Sequence, residues 1–379
     1  MKVKLKSLCQ NNEQQAKFCN DDIVEYIDVS SVNHSLKKIE KYTRYRFADA
    51  PSRARKLVRY GDVLVSTVRP NLNAVAICDE RLNYPIVAST AFAILRARAD
   101  VNPRFLYYCC LSNPFIQELC MQSTGANYPA VSESAVRNVY VNYYSRLEQD
   151  KLVSSLDRLG KCICALQGIL QRLDSLIKAR FVEMFGDVKS FVPLKHYIKA
   201  LQAGKSLAGE KECIRHVLKT GAVSYDYFDN LQVKPLPEDF QPDENTIVTQ
   251  GDVIISRMNT IELVGAAAYV WNVDDNTFLP DRLWKASIHE GINPIFVWQL
   301  LIQPTTKEQI RRYASGTSGS MKNISKSALL NIPVVAIPCS EQAAFAAFVE
   351  QVDKSKVVVQ KALDKAQQLY DSLMQQYFD

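Results

Sequence analysis

The chain has 379 residues, 47% of them apolar and 23% charged, with a formal net charge of +6. That length predicts two or three domains, each able to bury its own core, and the composition excludes a disordered, collagenous or fibrous chain. Met1 to Asn12 contains no signal-like apolar stretch and the longest apolar runs, such as Val264 to Trp271, are far too short for a bilayer, so a cytoplasmic protein without a membrane span is expected.

In chain order, a basic stretch comes first. Between Ser31 and Tyr60 stand Lys37, Lys38, Lys41, Arg44, Arg46, Arg53, Arg55, Lys56 and Arg59 against Glu40 and Asp49, with Tyr42, Tyr45 and Phe47 interleaved. Clustered cations with aromatics suit a surface that tracks phosphates and reaches base edges. Gly61-Asp62-Val63-Leu64-Val65-Ser66 then reads as a turn entering a β-strand, and a second strand is expected near Asn73 to Cys78. Asn102-Pro103 opens a helix expected to run to Cys120, with proline pre-set for the first turn. Ser123-Thr124-Gly125 and Val131-Ser132 follow, and a long helix begins near residue 147.

The same words then return. Gly251-Asp252-Val253-Ile254-Ile255-Ser256 repeats the strand word at an offset of 190. Asn293-Pro294 and Ala314-Ser315-Gly316 repeat at 191, and Ile324-Ser325 at 193. A second strand near Gly265 to Trp271 and a helix from Pro294 to Tyr313 keep the order. The second copy also has its basic stretch: Lys195, Lys199, Lys205, Lys211, Arg215 and Lys219 against Glu210 and Glu212. Such a duplication implies two copies of one mixed α and β module on one chain, suited to reading two things at a fixed distance. The expected segments are a first module over 1–146, a helix over 147–186, a second module over 187–340 and a helix over 341–379, an α+β organisation.

Both helices carry an unbroken 4-3 apolar pattern. The first runs Leu152, Leu156, Leu159, Ile163, Leu166, Leu170, Leu173, Ile177. The second, 193 residues on, runs Phe345, Val349, Val352, Lys356, Val359, Leu363, Ala366, Tyr370, with Lys356 its one polar member. A stripe of period 3.5 is a coiled-coil seam. The tail leaves two registers open, because Asp174-Ser175-Leu176 matches Asp371-Ser372-Leu373 at 197 instead.

Ten cysteines form no paired CxxC knuckles, and His34, His196, His216 and His289 stand apart from cysteine pairs. Reduced, mostly buried thiols and no metal site are expected. The chain holds no glycine-rich cofactor loop, no Walker lysine loop, no nuclease carboxylate set and no Ser/His/Asp constellation that spacing picks out. Asn113-Pro114-Phe115 has one proline where the target-holding motif of a DNA methyltransferase has two. A non-catalytic protein with no cofactor is expected.

Gly61 to Pro70, Asp281-Arg282-Leu283, Gly316-Thr317-Ser318-Gly319-Ser320 and Asn323-Ile324-Ser325 resemble parts of the target recognition domains of type I restriction-modification specificity subunits. Leu173-Asp174-Ser175-Leu176 with Arg180 to Asp187 resembles the end of that family's central helical region, and Ile332-Pro333-Val334 with Ser340-Glu341-Gln342 the start of the other. The resemblance covers essentially the whole chain. It implies two recognition domains held apart by two antiparallel helices with pseudo-two-fold symmetry, double-stranded DNA as ligand, and modification (methyltransferase) subunits as partners, two of them expected, with restriction subunits possible. Methyl donor and ATP would bind those partners, so no cofactor belongs here. Arg158, Lys161, Arg172, Lys361 and Lys365 are candidates for the docking of the modification subunits.

The copies differ where a reading surface should. Thr67-Val68-Arg69-Pro70 stands opposite Arg257-Met258-Asn259-Thr260, and Gly125-Ala126-Asn127-Tyr128 opposite Gly316-Thr317-Ser318-Gly319. Residue type and position nominate Arg44, Arg46, Arg53, Arg69, Asn71, Asn127 and Tyr128 as DNA contacts in the first module, and Lys205, Arg257, Asn259, Arg282, Ser318 and Lys322 in the second. From Leu152 to Ile177 the seam is roughly 38 Å long at ~1.5 Å per residue, close to one ~34–36 Å turn of duplex. A bipartite, asymmetric target around an unread gap is expected. The other reading of the same residues is a sequence-nonspecific two-headed coiled-coil adaptor for nucleic acid or protein.

Overall fold

A computed structural model of the chain describes residues 1–10, 15–125, 127–205, 213–316 and 321–379. They fall into two compact units, Met1–Ile169 with Val359–Asp379, and Leu170–Val358.

In the first unit the strand Val63–Ser66 lies between Phe92–Leu95 and Val75–Ile77, antiparallel to both. All four of its residues are buried, because both faces of this small sheet are covered. Val63 and Val65 join a core with Phe105, Leu106 and Cys109 of helix α1 (Pro103–Leu111), while Leu64 joins a second core with Ala76, Ala88 and Phe92. Asp62 ties the turn before the strand to its neighbour: its carboxylate accepts from Arg96 Nε and NH2 at 2.8 and 2.6 Å, and from the Arg59 amide at 2.8 Å.

A second sheet, in the order Thr43–Arg46, Ile23–Ile27, Ile86–Ser89, Ala54–Val58, holds the basic stretch. Successive side chains of a strand alternate between faces. Tyr45 packs edge-on to Tyr26 (ring centroids 6.2 Å apart) and Phe47 to Phe18 (5.3 Å), while Arg44 and Arg46 face outward. The interleaved aromatics expected on a phosphate-tracking surface are therefore packing residues. Arg44 and Arg46 between them are exposed, while Tyr45 and Phe47 are half-buried.

The second unit rebuilds the same frame. Strand Val253–Ser256 is fully buried between Leu283–Ile288 and Ala267–Tyr269, with Val253 and Ile255 in one core and Ile254 in another. Asp252 accepts from the Thr249 amide at 2.8 Å and pairs with Lys285 at 3.5 Å, as Asp62 does with Arg59 and Arg96.

Each helix expected after Asn-Pro is in fact two. The first unit has α1 and α2 (Asn113–Met121); the second has α5 (Pro294–Leu301) and α6 (Pro304–Tyr313). Pro114 and Pro304 cause the break, since proline has no amide hydrogen to continue a helix and forces the residue before it out of helical backbone. Short helices α3 (Glu133–Asn138) and α7 (Lys326–Leu330) follow, each capped by the serine of the repeated word, Ser132 or Ser325.

Helices α4 (Arg146–Phe185) and α8 (Cys339–Phe378) have 40 residues each. In the first unit Phe378 of α8 lies against Phe105 and Tyr108 (centroids 5.5 and 6.1 Å apart) in the cluster that holds Val153 and Leu156 of α4. In the second unit Phe181 and Phe185 of α4 both sit 5.5 Å from Phe345 of α8, and Lys356 donates to Asp174 at 2.6 Å. Within each unit, then, the start of one helix meets the end of the other, which is antiparallel pairing. Lys356, the polar member of the stripe, has an acidic partner on the facing helix. Leu156, Ile177, Phe345, Val349 and Val352 are buried, and the other apolar stripe residues are half-buried, as a two-helix seam requires. The register left open at the tail is 193: both helices end there, Phe185 and Phe378 are both buried, and Leu176 of the competing match is 47% exposed.

All ten cysteines are free, but only Cys9, Cys78, Cys109 and Cys110 are buried. Cys19, Cys162, Cys164 and Cys339 are exposed, so the expectation of mostly buried thiols is corrected; Cys162 and Cys164 lie on α4 off the stripe. Among the described residues no helix is long and apolar enough to cross a membrane.

Candidate nucleic-acid interface

Two loops meet beside the central strand of each unit, and they meet by the same hydrogen bonds. In the first unit Val68 bridges Ala130; the Thr67 amide donates to Ala91 O (2.8 Å) and the Val131 amide to Thr67 O (2.8 Å). In the second, Met258 pairs with Asn323; the Arg257 amide donates to Arg282 O (3.1 Å) and the Ile324 amide to Arg257 O (3.1 Å). Thr124 and Ala130 exchange both backbone bonds, and so do Ser315 and Asn323. Gly125 and Gly316 close these loops with φ of +101° and +153°, and a Cβ at either would press on the backbone oxygen of Tyr128 or Met321, at 2.9 and 2.5 Å. Any larger residue would open the junction, which is why the word keeps its glycine.

This junction collects many of the nominated residues. In the first unit it gathers Arg69, Asn71, Asn127 and Tyr128, all exposed, with the Arg69 guanidinium carbon 4.7 Å from the centre of the Tyr128 ring. In the second it gathers Arg257, Asn259 and Lys322, with Asn259 and Lys322 direct cross-strand partners, and Arg282 exposed at the strand whose carbonyl holds Arg257. Lys322 Nζ donates to Gly316 O at 3.0 Å. Ser318 lies outside the described residues, as does Lys211 of the second basic stretch.

The remaining nominations have other surroundings. Arg44 is committed to Glu25, which accepts from its Nε and NH2 at 2.9 and 2.7 Å; that pairing raises the arginine's pKa, and Tyr84 lies under the guanidinium at 4.8 Å. Arg46 and Arg53 are exposed on the outer sheet, and Arg53 O accepts from the Thr90 amide, one residue before the Ala91 that anchors the junction. Lys205 is not among the junction contacts; it lines an open cavity of about 340 Å³ with Leu236, Phe240 and Asp243. Of the other basic residues, Lys56 is paired with Glu133, and Lys37 donates to Asn73 O at 2.7 Å with its pKa lowered by burial.

Residue type alone passed over Ser256, Trp284 and Asn323, which stand with the nominated Arg257 beside the second junction. Ser256 Oγ, Arg257 Nε, Trp284 Nε1 and Asn323 Oδ1 are buried without a hydrogen-bond partner among the described residues, and the Arg257 guanidinium lies 5.6 Å from the Trp284 ring centre. The first unit satisfies the matching serine, since Ser66 Oγ donates to Val68 O at 2.9 Å. Asn323 directly precedes the repeated Ile-Ser word, and pairing that word with the strand word would have pointed to it. Among the described residues no group of three or more His, Cys, Asp or Glu could hold a metal ion.

One arrangement thus defines the class: two α+β modules with matching loop junctions, each unit also holding a stretch of α4 packed antiparallel to a stretch of α8. No protein-family model matches the chain. The type I restriction enzyme HindI specificity subunit of Haemophilus influenzae is 29% identical over 163 residues, 42% of this chain and 34% of that protein. The match therefore spans about a third of that relative's length. The type I restriction-modification S subunit of M. genitalium has the same fold over all of this chain and 96% of its own (TM-score 0.63, 12% identity). So does a chain from a study of complex assembly and conformational transition in the type I restriction-modification system (100% and 97% covered, TM-score 0.59, 20% identity). The resemblance to type I specificity subunits is borne out by these likenesses, and the chain has their fold.

Proposed function

We propose that this chain is the DNA-specificity subunit of a type I restriction-modification enzyme, reading a bipartite, asymmetric target in double-stranded DNA. The observation that carries this reading is the junction itself. One hydrogen-bonded frame is built twice and presents unlike side chains, Arg69 with Tyr128 in one copy and Asn259 with Lys322 in the other. A conserved frame with changed contacts is what reading two different half-sites requires.

The long helices act as the spacer that sets the gap between half-sites, and the exposed Arg158, Lys161, Arg172, Lys361 and Lys365 on them offer docking contacts to modification subunits. Methylation and cleavage belong to those partners and to restriction subunits; this chain supplies position.

Co-expression with a type I modification subunit, followed by genome-wide mapping of methylated adenines, tests the reading. A gapped motif that vanishes when this chain is omitted is expected. An assembled complex that yields no motif, and that binds target and scrambled DNA equally with a steep salt dependence, is the result of a sequence-blind adaptor.

A further inference from the structure

We propose that Arg69, whose guanidinium lies over the ring of Tyr128, reads a guanine in the half-site of the first module, with Tyr128 as its positioning residue; the inference rests on the function proposed above. The backbone that presents Arg69 is unusual. Its φ of 50° and ψ of 61° are left-handed, Asn73 with φ 46° is left-handed too, and the tight turn Pro70–Leu72 is bracketed between them. Non-glycine residues hold such conformations only where neighbours over-determine them. Here the Arg69 amide donates to Pro129 O at 2.7 Å and the Leu72 amide to Arg69 O at 2.9 Å, so the loop that carries Tyr128 also fixes Arg69.

The guanidinium is fixed but not consumed. Arg44, Arg96, Arg98, Arg104 and Arg146 all bond carboxylates, of Glu25, Asp62, Asp100, Asp157 and Asp150. The Arg69 side chain makes no hydrogen bond or ion pair with the described residues; its one contact of note is the ring, 4.7 Å from the guanidinium carbon to the centroid. Tyr128 is 69% exposed, so the stacked pair stands in solvent. With its carbon over the ring and its N–H groups unpaired among the described residues, the guanidinium keeps its donors available, and a planar fork of donors matches the O6 and N7 acceptors of guanine in the major groove. Holding the fork on a ring removes part of the ordering cost of contact.

The second module does not share the device. At the matching place Asn259 Oδ1 accepts from the Thr260 amide at 2.9 Å, and the opposing Lys322 donates to Gly316 O. The exposed arginine–tyrosine pair is therefore assigned to the first half-site; in the second module Arg257 lies over a buried ring, that of Trp284.

The test uses the full chain in complex with its modification subunit, comparing R69K, R69A, Y128F and Y128L with wild type by methylation mapping and by competition between duplexes altered at single positions. R69K keeps the charge and loses the fork, so discrimination at one G·C pair should fall roughly 5- to 150-fold, with the other half-site unchanged. Y128F, which keeps the ring, should behave as wild type, and Y128L should relax the same base pair to a smaller degree. An intact second half-site reports that each variant is folded and assembled. Three results overturn the inference while leaving the proposed function standing: unchanged guanine preference in R69K and R69A, relaxation at a pair other than G·C, or an even loss of affinity across all sequences, the mark of a phosphate contact. Absence of any motif with the wild-type complex overturns the function, and the inference with it.

Discussion

Gln149 and Gln342 make the same clamp in the two repeats, and removing either should cost several kcal/mol. Gln149, on α4, is 0% exposed; its Oε1 accepts from the Asn102 amide at 2.9 Å and its Nε2 donates to Tyr144 O at 2.8 Å. Gln342, on α8, is 1% exposed and does the same with the Asn293 amide (3.2 Å) and Ile337 O (2.8 Å). Asn102 and Asn293 are in turn the N-caps of α1 and α5, so each clamp fastens a long helix to the helix that backs the reading module. Gln149→Ala leaves one donor and one acceptor unpaired, at about 1–3 kcal/mol each when buried. A loss of about 3 kcal/mol should lower the melting temperature by roughly 6–12 °C for a unit of this size.

Differential scanning calorimetry with urea midpoints would measure this, and Q342A should lose a similar amount from the second unit. Q149E sharpens the test. Its carboxylate still accepts from Asn102 but cannot donate to Tyr144, and burial raises its pKa. A raised folded-state pKa means the variant's deficit is largest at neutral pH and shrinks as pH falls through that value and the group is protonated. Losses below about 1 kcal/mol in both alanine variants would refute the argument that the clamps anchor the helices. A large loss in one alone would refute their equivalence.

Removing one heptad from each of α4 and α8 shortens the helices by about 10 Å, or roughly three base pairs; the gap in the methylated motif should shrink accordingly, and an unchanged gap would sink the spacer role. Asp353 has its pKa raised from 3.8, chiefly by burial and also by Asp174, with Lys356 opposing. Because the folded-state value is the higher one, its charge opposes folding at neutral pH, so D353N should raise the urea midpoint at pH 7, and the gain should fade as pH drops toward 3.8. A thiol reagent at pH 8 should label Cys19, Cys162, Cys164 and Cys339 of the native chain quickly. It should spare Cys109 and Cys110, whose pKa values burial pushes far up, until the chain is unfolded; mass spectrometry of timed samples reads this directly.

The duplication, the order of its elements and the two helical stripes were legible in the chain, because they rest on local patterns. A glycine turn before a β-branched run, an Asn-Pro helix start and a 4-3 apolar period each leave a mark within a few residues. Of the candidate contacts, Arg69, Asn71, Asn127, Tyr128, Arg257, Asn259, Arg282 and Lys322 were nominated by their closeness to repeated words, and the structure gathers them at the two junctions. Arg44 was nominated by residue type and position, and its Nε and NH2 bond Glu25, a partner 19 residues away that the basic stretch itself does not reveal. Tyr45 and Phe47 were read as part of a phosphate-tracking surface, whereas Tyr45 packs on Tyr26 and Phe47 on Phe18.

By itself the sequence determined that one module occurs twice and that each copy ends in a coiled-coil helix, since periodicity and repetition are properties of the chain. It could not choose between the 193 and 197 registers. Local similarity favoured both, and only the burial of Phe185 and Phe378 at the helix ends decided it. Nor could it show that the Tyr128 ring lies under Arg69, or that Ser256, Arg257, Trp284 and Asn323 crowd one junction. Those facts depend on residues about 60 apart being paired across the frame, and pairing over that distance is set by how the whole module closes on its core.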